Sequence, residues 1–354
     1  MKITILSFYD RISLFHSLKP FLFSRHSGLF DFTRDPRYCL TRDRNRVLFM
    51  DRWFLKPDRV DLDLLARLRD KYRTIFFFNG NAGGGILRPE VLPFVDLFFN
   101  KSLFKDRSIY TRTLYGDELF TEHYHADHGI EDPEPIKRQA VTDPALLDKL
   151  RVSWNIGIGD FPKLKYRQRL AVALARMTNA RAAKPFHKSR SLPAEFPVNE
   201  GICDIHARWG GPKRPTLLYH RTILLDRIRD NPRFLVGKVP QNQYNREIRH
   251  AKITLSPFGW GEVCFRDFEA VLNGSLLLKP DMGHLETWPN AFVPGETYVP
   301  FSWDGEDLVE KGTYYLENEA ERRRIAGNAF DAYVEQARGL DERLESILHL
   351  VRDF

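Results

Sequence analysis

The segment between residues 256 and 274 has residue types and an order that suit the binding of a phosphate anion. Gly259 and Gly261 stand in a turn that joins an apolar run to a helical pattern beginning at Glu262. Glycines let a ligand approach the backbone closely. The first turn of a helix adds unpaired N–H groups and the positive end of the helix dipole. The segment therefore predicts a site for an anion such as a diphosphate.

Two charged residues continue this pattern. Arg266 lies four residues into the helical pattern, where its guanidinium can make a bidentate contact with a phosphate. Glu269 follows three residues later on the same face, and its carboxylate can accept hydrogen bonds from both hydroxyls of a ribose. Gly274 then ends the helix before an apolar run at 275–279. The alternative is an ordinary solvated helix face, where Arg and Glu are often paired.

These residues resemble the donor-binding half of GT-B glycosyltransferases, and most closely the exostosin-like pattern. That pattern is Gly-aromatic-Gly, three residues, aromatic-Arg, two residues, Glu-Ala, and then Gly. The chain matches it in order and without gaps at Gly259-Trp260-Gly261, Phe265-Arg266, Glu269-Ala270 and Gly274. It differs at Cys264, where Ser is usual in the pattern, and in the run after Gly274. The resemblance implies that Glu269 holds the ribose, that the glycine turn faces the diphosphate, and that Arg266 contacts a phosphate or the sugar.

The predicted donor-binding residues are therefore Gly259, Gly261, Glu262, Arg266 and Glu269, together with Arg208. Arg208 belongs to a basic segment, 204–214, that follows the first apolar run of the second half of the chain. GT-B enzymes often place a basic group there on the donor phosphates, and Arg208 is preferred because it stands at the end of the predicted strand. An ordinary basic surface loop is the alternative.

A catalytic base is harder to assign. An inverting transferase needs a carboxylate or a histidine that deprotonates the acceptor hydroxyl while the diphosphate leaves. Asp160 follows Gly157 and Gly159 at the end of a predicted strand of the first half, which makes it the best-placed carboxylate. The alternative is an aspartate that caps a helix. A retaining transferase need have no such base.

Three other patterns suggest further chemistry, and each has a simpler interpretation. The glycines of residues 80–85 have the spacing of a P-loop, but the Lys and Ser/Thr of that motif are missing. We therefore expect a mobile loop that faces the cleft. The histidine-rich segment 122–128 is interpreted as an exposed polar loop and not as a metal site. Asp61 and Asp63 resemble the DxD of metal-dependent transferases, but they open a helical pattern, where they cap the helix.

Elements that would position these residues alternate along the chain. Strand-like apolar runs occupy 47–50, 74–78 and 150–156 in the first half, and 202–205, 253–256 and 275–279 in the second. Helical patterns at 61–69, 167–177, 215–228 and 262–272 lie between them, and a charged helical pattern runs from 317 to the end. Such alternation is typical of βαβ units and parallel sheets.

We therefore predict an α/β protein with two Rossmann-like domains that face a central cleft, as in the GT-B type, and with C-terminal helices. The first domain, residues 1–185, would bind the acceptor. A proline-bearing linker, 186–200, would separate it from the nucleotide-sugar domain, residues 201–354.

Composition limits the partners. The 354 residues carry a formal charge of +7, which favours an anionic partner. Basic residues are nevertheless interspersed with nearly as many acids along the chain, which argues against nucleic acid as the partner. No apolar run is long enough to span a membrane, and three widely separated cysteines exclude a disulfide framework. We expect a cytoplasmic protein. The aromatic run 14–23 suggests peripheral contact with the inner face of a membrane, although packing in the core is the favoured interpretation.

The resemblance implies a glycosyltransferase that moves a sugar from a nucleotide-diphosphate sugar to a glycan, lipid-linked or protein acceptor. It also implies that the reaction needs neither a bound metal nor a cofactor. The expected partners are a nucleotide sugar and a glycan or glycolipid acceptor, without nucleic acid. Three alternatives stay open: a sugar-nucleotide epimerase on the same fold, a non-enzymatic nucleic-acid-binding protein, and a binding protein that has lost catalysis.

Overall fold

The apolar runs of the first half form a six-stranded parallel sheet in the computed structural model, which describes residues 2–53, 60–135, 138–161, 164–187, 192–197, 199 and 201–354. Its strands lie in the order β2-β1-β3-β4-β5-β7. Their bounds are β1 Ile3–Ser7, β2 Phe30–Thr33, β3 Val47–Asp51, β4 Thr74–Phe78, β5 Leu97–Asn100 and β7 Leu150–Val152. Strands β1, β3 and β4 are buried at every position, because a parallel sheet is covered on both faces.

A second parallel sheet has five strands in the order β13-β11-β10-β8-β9. They are β8 Cys203–Ala207, β9 Phe234–Val236, β10 Ala251–Leu255, β11 Leu276–Pro280 and β13 Val299–Phe301. The two remaining strands, β6 Ser102–Phe104 and β12 Leu285–Thr287, pair with each other in antiparallel fashion. Because β6 follows the first sheet's β5 and β12 follows the second sheet's β11, this small ladder joins the two halves.

Helices separate most of the strands. The first five are α1 Lys19–Phe23, α2 Pro36–Thr41, α3 Leu62–Lys71, α4 Leu119–His128 and α5 Lys165–Met177. The other six are α6 Pro215–Ile228, α7 Gln241–Arg249, α8 Phe265–Leu272, α9 Leu308–Glu317, α10 Glu319–Arg338 and α11 Leu340–Leu350. The last of them, α11, returns to the first half, where Leu344 and Ile347 are buried in the same apolar cluster as β1. Among the described residues, no helix has the length and apolar character needed to cross a membrane.

Buried polar contacts also join the halves. The guanidinium of Arg214, just before α6, lies 2.7 Å from Asp132 Oδ2 and 3.1 Å from Glu118 Oε2. Both carboxylates belong to the first half and are buried. Gly157 is packed so closely against the ring of Phe268 in α8 that an added Cβ would lie 2.7 Å from it. The two sheets are thus held together around a common cleft.

The prediction of an α/β protein with two parallel sheets is confirmed. The strand predicted at 150–156 ends at Val152, because residues 156–158 form a 3₁₀ turn instead. The helix predicted from Glu262 begins only at Phe265, after the extended turn has ended. The prediction of a loop at 122–128 is wrong, since these residues lie in α4. The domain limits stay predictions, and the predicted linker includes residues 188–191, 198 and 200, which lie outside the described residues.

The N-terminal aromatic run packs inside the protein. Leu14, Phe15, Leu18, Phe21 and Leu22 are all buried, in a short π-helix at 13–17, in α1 and at the residue between them. The core-packing interpretation of residues 14–23 is therefore confirmed, and these five side chains are not available to a membrane.

Helix α3 offers a test of the capping interpretation. The Asp61 carboxylate accepts a hydrogen bond of 2.9 Å from the backbone N–H of Leu64. We expect Asp61→Ala to lower the free energy of unfolding by about 1 kcal/mol, because one orphan donor of the first turn loses its partner. Asp63→Ala is the matched control, since Asp63 is exposed in the same turn and does not cap it. Denaturant unfolding of both variants measures the difference, and equal losses would contradict the assignment of the cap.

Candidate functional site

A cleft of about 520 Å³ lies between the two halves of the molecule. Arg52 follows β3, residues 80–82 follow β4, and Lys101 follows β5, so the first sheet contributes the carboxyl ends of its parallel strands. Open α/β sheets bind ligands at this edge. The second half contributes Trp260, Gly261, Val263 and Cys264 from the segment between β10 and α8, together with Phe265 at the start of α8, whereas Gly259 is not among the lining residues that the structure describes. The predicted glycine turn therefore forms one side of the cleft.

Buried charge fixes the shape of this turn. Asp267, in the first turn of α8, accepts a 2.8 Å hydrogen bond from the Cys264 N–H and a 2.6 Å bond from the Ser256 hydroxyl. The ammonium of Lys279 lies 3.1 Å from the same carboxylate, and Asp267 and Lys279 are both fully buried. Since Asp267 binds both ends of the turn, residues 257–263 are held between a strand and a helix terminus. The N–H groups of the first turn of α8 are thereby positioned beside the cleft.

Gly261 brings the backbones of the two halves into contact. A Cβ at this position would lie 2.3 Å from the carbonyl oxygen of Ala82, so only glycine fits. Ala82 belongs to the loop 80–85, whose next three glycines are buried. A Cβ on Gly83 or Gly85 would overlap Asp117, and one on Gly84 would overlap Leu285 and Phe104. The loop thus faces the cleft, as predicted from the sequence, and its far side is closely packed.

Two cations of the first half line the cleft. The Arg52 guanidinium donates to the Gly80 carbonyl at 2.9 Å and lies 3.2 Å from Asp10 Oδ2. Lys101 is only 8% exposed. Burial, and then the neighbouring guanidinium of Arg52, lower the pKa of the Lys101 ammonium to about 7. An anion in the cleft would therefore meet two buried positive groups as well as the helix terminus.

Arg266 and Glu269 of α8 do not line this cleft among the described residues. Glu269 Oε2 accepts a 2.9 Å hydrogen bond from the hydroxyl of Tyr244 in α7. Arg266 donates to the backbone carbonyl of Arg208 at 3.0 Å. The structure therefore joins Arg266 to Arg208, just after the end of β8, and joins Glu269 to Tyr244 of α7.

Arg208 already has a strong partner. Its guanidinium forms a bidentate pair with Glu247, at 2.8 and 2.9 Å. Burial raises the pKa of this carboxyl, but the hydrogen bonds from Arg208 and Gln243 and the positive charge of Arg208 outweigh burial, so the pKa is lowered. Next to the pair, burial and the positive charge of Arg266 lower the pKa of His206 to about 4. Arg208 thus reaches an incoming phosphate only as part of a pair with Glu247.

Glu262 is fully buried behind the turn. Its Oε1 lies 3.6 Å from Nε2 of His284, and the side chain does not line the cleft among the described residues. Burial, with a smaller contribution from the negative charge of Glu262, raises the pKa of Asp117 to about 7. The position of Glu262 favours a role in holding the turn against the first half. Its assignment to donor binding stays a prediction that the geometry does not favour.

Asp160 is buried, and Oδ2 lies 3.8 Å from the ammonium of Lys19. Its backbone N–H donates to the carbonyl of Phe15 at 2.8 Å. Neighbouring Asn155 and Ile156 line the cleft, whereas Asp160 is not among the lining residues that the structure describes. Its role as catalytic base stays a prediction.

The histidine-rich segment lies on α4, and its side chains have partners other than a metal ion. His123 Nδ1 lies 2.7 Å from Asp127, His125 is stacked on Tyr115, and the hydroxyl of Tyr219 lies 3.1 Å from His128 Nδ1. Within the described ranges, no three His, Cys, Asp or Glu side chains are grouped in a way that could hold a metal ion. That the reaction needs no bound metal stays a prediction.

Sequence analysis missed Arg52, Lys101 and Asn155 as lining residues. The signal for Lys101 was present, because a polar residue follows the apolar run 97–99 closely, but that run was not identified as β5. Arg52 directly follows a strand that was predicted correctly. A rule that inspects the residue after every parallel strand would have found both cations.

Comparison with known proteins gives one match to a family model and several distant structural likenesses. Residues 207–349, less than half of the chain, match a family model described as glycosyl transferase-like. No curated protein sequence matches the chain.

Three solved structures illustrate the structural likenesses. The chain is similar to HepE of Anabaena in complex with UDP-glucose at 11% identity and a TM-score of 0.41, covering 99% of each chain. It is similar to the pneumococcal O-GlcNAc transferase GtfA in complex with UDP and GlcNAc at 10% identity and a TM-score of 0.44, covering 89% of this chain and 59% of that one. It is similar to a glycosyltransferase from Rickettsia africae ESF-5 at 8% identity and a TM-score of 0.44, covering 99% of this chain and 97% of that one.

Proposed function

We propose that the protein is a metal-independent glycosyltransferase that uses a nucleotide-diphosphate sugar as donor. The observation that carries this proposal is one cleft in which Trp260 and Gly261 of the glycine turn, and Phe265 at the start of α8, share a cavity with Arg52 and Lys101. The family-model match covers the same turn and helix. The proposal includes the exostosin-like character of the turn, a glycan, lipid-linked or protein acceptor, and a cytoplasmic location in peripheral contact with a membrane.

Transfer of a sugar leaves a nucleoside diphosphate, so negative charge grows on the leaving phosphate in the transition state. Preorganised N–H groups and cations stabilise that charge without reorganising, which is a large source of rate enhancement. In this proposal the α8 terminus, Lys101 and Arg52 hold the diphosphate. Glu269 accepts hydrogen bonds from the ribose at the neighbouring end of β8. Asp160 is proposed as the base that removes the acceptor proton.

Glu269→Ala is expected to raise the donor KM about ten-fold with little change in the fold, because a hydrogen-bonded carboxylate contributes roughly 1.5–3 kcal/mol. Steady-state kinetics measures the change, and unfolding curves check the fold. Tyr244→Phe is the matched control, since it removes the Tyr244–Glu269 hydrogen bond and keeps the carboxylate. An unchanged donor KM in Glu269→Ala would remove Glu269 from the ribose site.

A panel of sugar nucleotides tests the function itself. A donor present at one hundred times its Kd should stabilise the protein by about 2.7 kcal/mol in a thermal-shift assay. Product analysis with the bound donor then separates two reactions: a transferase releases nucleoside diphosphate, whereas an epimerase returns an isomeric sugar nucleotide. Absence of a shift with every nucleotide sugar would refute the proposed function.

A further inference from the structure

The positive charge of the chain is concentrated in one stretch of sequence. Residues 161–194 contain nine Lys or Arg and no Asp or Glu, while the rest of the chain contains 45 basic and 47 acidic residues. The expectation of evenly interspersed charges is therefore wrong, because a whole-chain comparison hides a local excess. The described part of this stretch contains α5 and the 3₁₀ turns of 180–186 that pack against it.

Helix α5 has an apolar stripe on its solvent side. Tyr166, Leu170, Ala173 and Met177 follow one another at spacings of four, three and four residues, which place them on one face. Tyr166 is 65% exposed, Leu170 48% and Met177 81%. The buried positions of the helix are Ala171 and Ala175, which lie away from that stripe. A helix on the surface of a globular protein normally shows the reverse pattern, with polar residues outward.

Basic residues flank the stripe. On one side, Lys165, Arg169 and Arg176 recur at helical spacing, and they line a groove of about 480 Å³ together with Arg11. On the other side of the stripe stands Arg167, which is exposed. Asp10 is the one acidic residue among those that line the groove in the described part of the chain. An outward apolar stripe with basic margins is the arrangement of helices that lie in a membrane interface.

The groove adjoins the cleft. Arg11 lines the groove and lies over the ring of Phe161, 6.0 Å from its centroid. Phe161 in turn packs edge-on against Phe265, with ring centroids 5.4 Å apart, and Phe265 lines the cleft. Ile12, next to Arg11, also lines the cleft. A molecule held at the surface of α5 is therefore beside the opening of the proposed active site.

We propose that the outer face of α5 docks on the surface of an anionic phospholipid bilayer, with Tyr166, Leu170 and Met177 in the headgroup region and the basic groove on lipid phosphates. Docking of α5 is independent of the proposed function. Only the consequence that the sugar acceptor is carried by a lipid rests on that function. Charge complementarity selects the occupant, because α5 has four basic and no acidic residues. Nucleic acid would use the same cations but would leave the aliphatic stripe exposed to water.

Vesicle co-sedimentation of the full chain tests this inference. We expect binding to phosphatidylcholine vesicles that contain phosphatidylglycerol, weaker binding to pure phosphatidylcholine, and a loss of binding as salt is raised. The triple variant Tyr166→Ser, Leu170→Ser, Met177→Ser should lower the partition coefficient at least ten-fold. Arg167→Gln with Arg169→Gln should remove the preference for phosphatidylglycerol.

Leu62→Ser with Tyr314→Ser is the matched control, because these exposed apolar side chains lie on α3 and α9. This control should bind vesicles like the original protein. Failure of the original protein to bind, or equal binding by the triple serine variant, would overturn the inference. The inference would also be overturned if a short DNA duplex displaced the vesicles from the original protein and bound the original protein and the triple serine variant equally well. A donor thermal shift on the same samples separates the two proposals, since it tests the function without using α5.

Discussion

Replacing Gly261 with alanine should reduce sugar transfer at least about 100-fold, the loss that a displacement of about 1 Å can cause in an active site. The Cβ of the alanine would lie 2.3 Å from the carbonyl oxygen of Ala82 and 2.7 Å from its carbonyl carbon. Both atoms belong to the backbone, so no side-chain rotation relieves the overlap. The loop after β4 must retreat, and the cleft residues Arg52 and Lys101 then separate from the first turn of α8.

The measurement is release of nucleoside diphosphate by Gly261→Ala, together with donor affinity from calorimetry. Gly210→Ala is the control, because Gly210 lies in the loop after β8 and a Cβ there would meet nothing within 4 Å. It should keep its full activity. Normal donor affinity and turnover in Gly261→Ala would show that the close approach of the two loops is not needed for the reaction.

Replacing Lys101 with methionine should weaken donor binding about 10- to 100-fold, because a charge-assisted hydrogen bond contributes roughly 1.5–3 kcal/mol. The same variant should be more stable than the original protein when no donor is present. Burial lowers the pKa of Lys101 from 10.5 to about 7, so the folded state holds this proton less tightly than the unfolded state does. The buried charge of Lys101 therefore destabilises the folded state. This loss of stability is largest below pH 7, where Lys101 is protonated in both the folded and the unfolded state, and it falls as the pH rises toward 10.5.

We therefore expect Lys101→Met to raise the free energy of unfolding by roughly 2–5 kcal/mol at pH 6 and by less at pH 9. Donor affinity of the original protein should fall as the pH rises above 7, because Lys101 loses its charge, whereas affinity of the variant should be flat. A nucleotide sugar is the suitable ligand, since its diphosphate keeps a constant charge over this range. Lys105→Met is the control, because Lys105 is an exposed lysine four residues further along the chain and does not line the cleft among the described residues. Unchanged donor affinity in Lys101→Met would place the diphosphate elsewhere.

These two variants separate two ways in which the cleft works. Gly261 contributes by being small, and its replacement changes the distance between the halves. Lys101 contributes by being charged in a poorly solvated place, which stabilises a bound anion and destabilises the empty protein. A site that binds charge at the expense of stability is common in enzymes, and the opposite signs of the two effects in Lys101→Met would identify one here.

The local elements around the turn were predictable from the sequence alone. The runs 74–78 and 215–228 became β4 and α6 with the same bounds, and Asp61 caps α3. Each of these features depends on residues within a few positions of one another, where the spacing of apolar side chains and the capping groups already fixes the outcome. The order from Gly259 to Gly274 was visible for the same reason.

The sequence by itself determined the two parallel sheets, the glycine turn before α8 and the candidates that follow it. Only the tertiary structure decided which groups share the cleft. Lys101 and Gly261 are separated by about half of the chain, and Arg208 proved to be paired with Glu247. Contacts between residues so far apart in the chain depend on how the two sheets dock. That docking is made by the β6–β12 ladder, by Arg214 and by the fit of Gly157 against Phe268. Local spacing carries no information about that docking, because the contacts join surfaces whose residues are far apart in the chain.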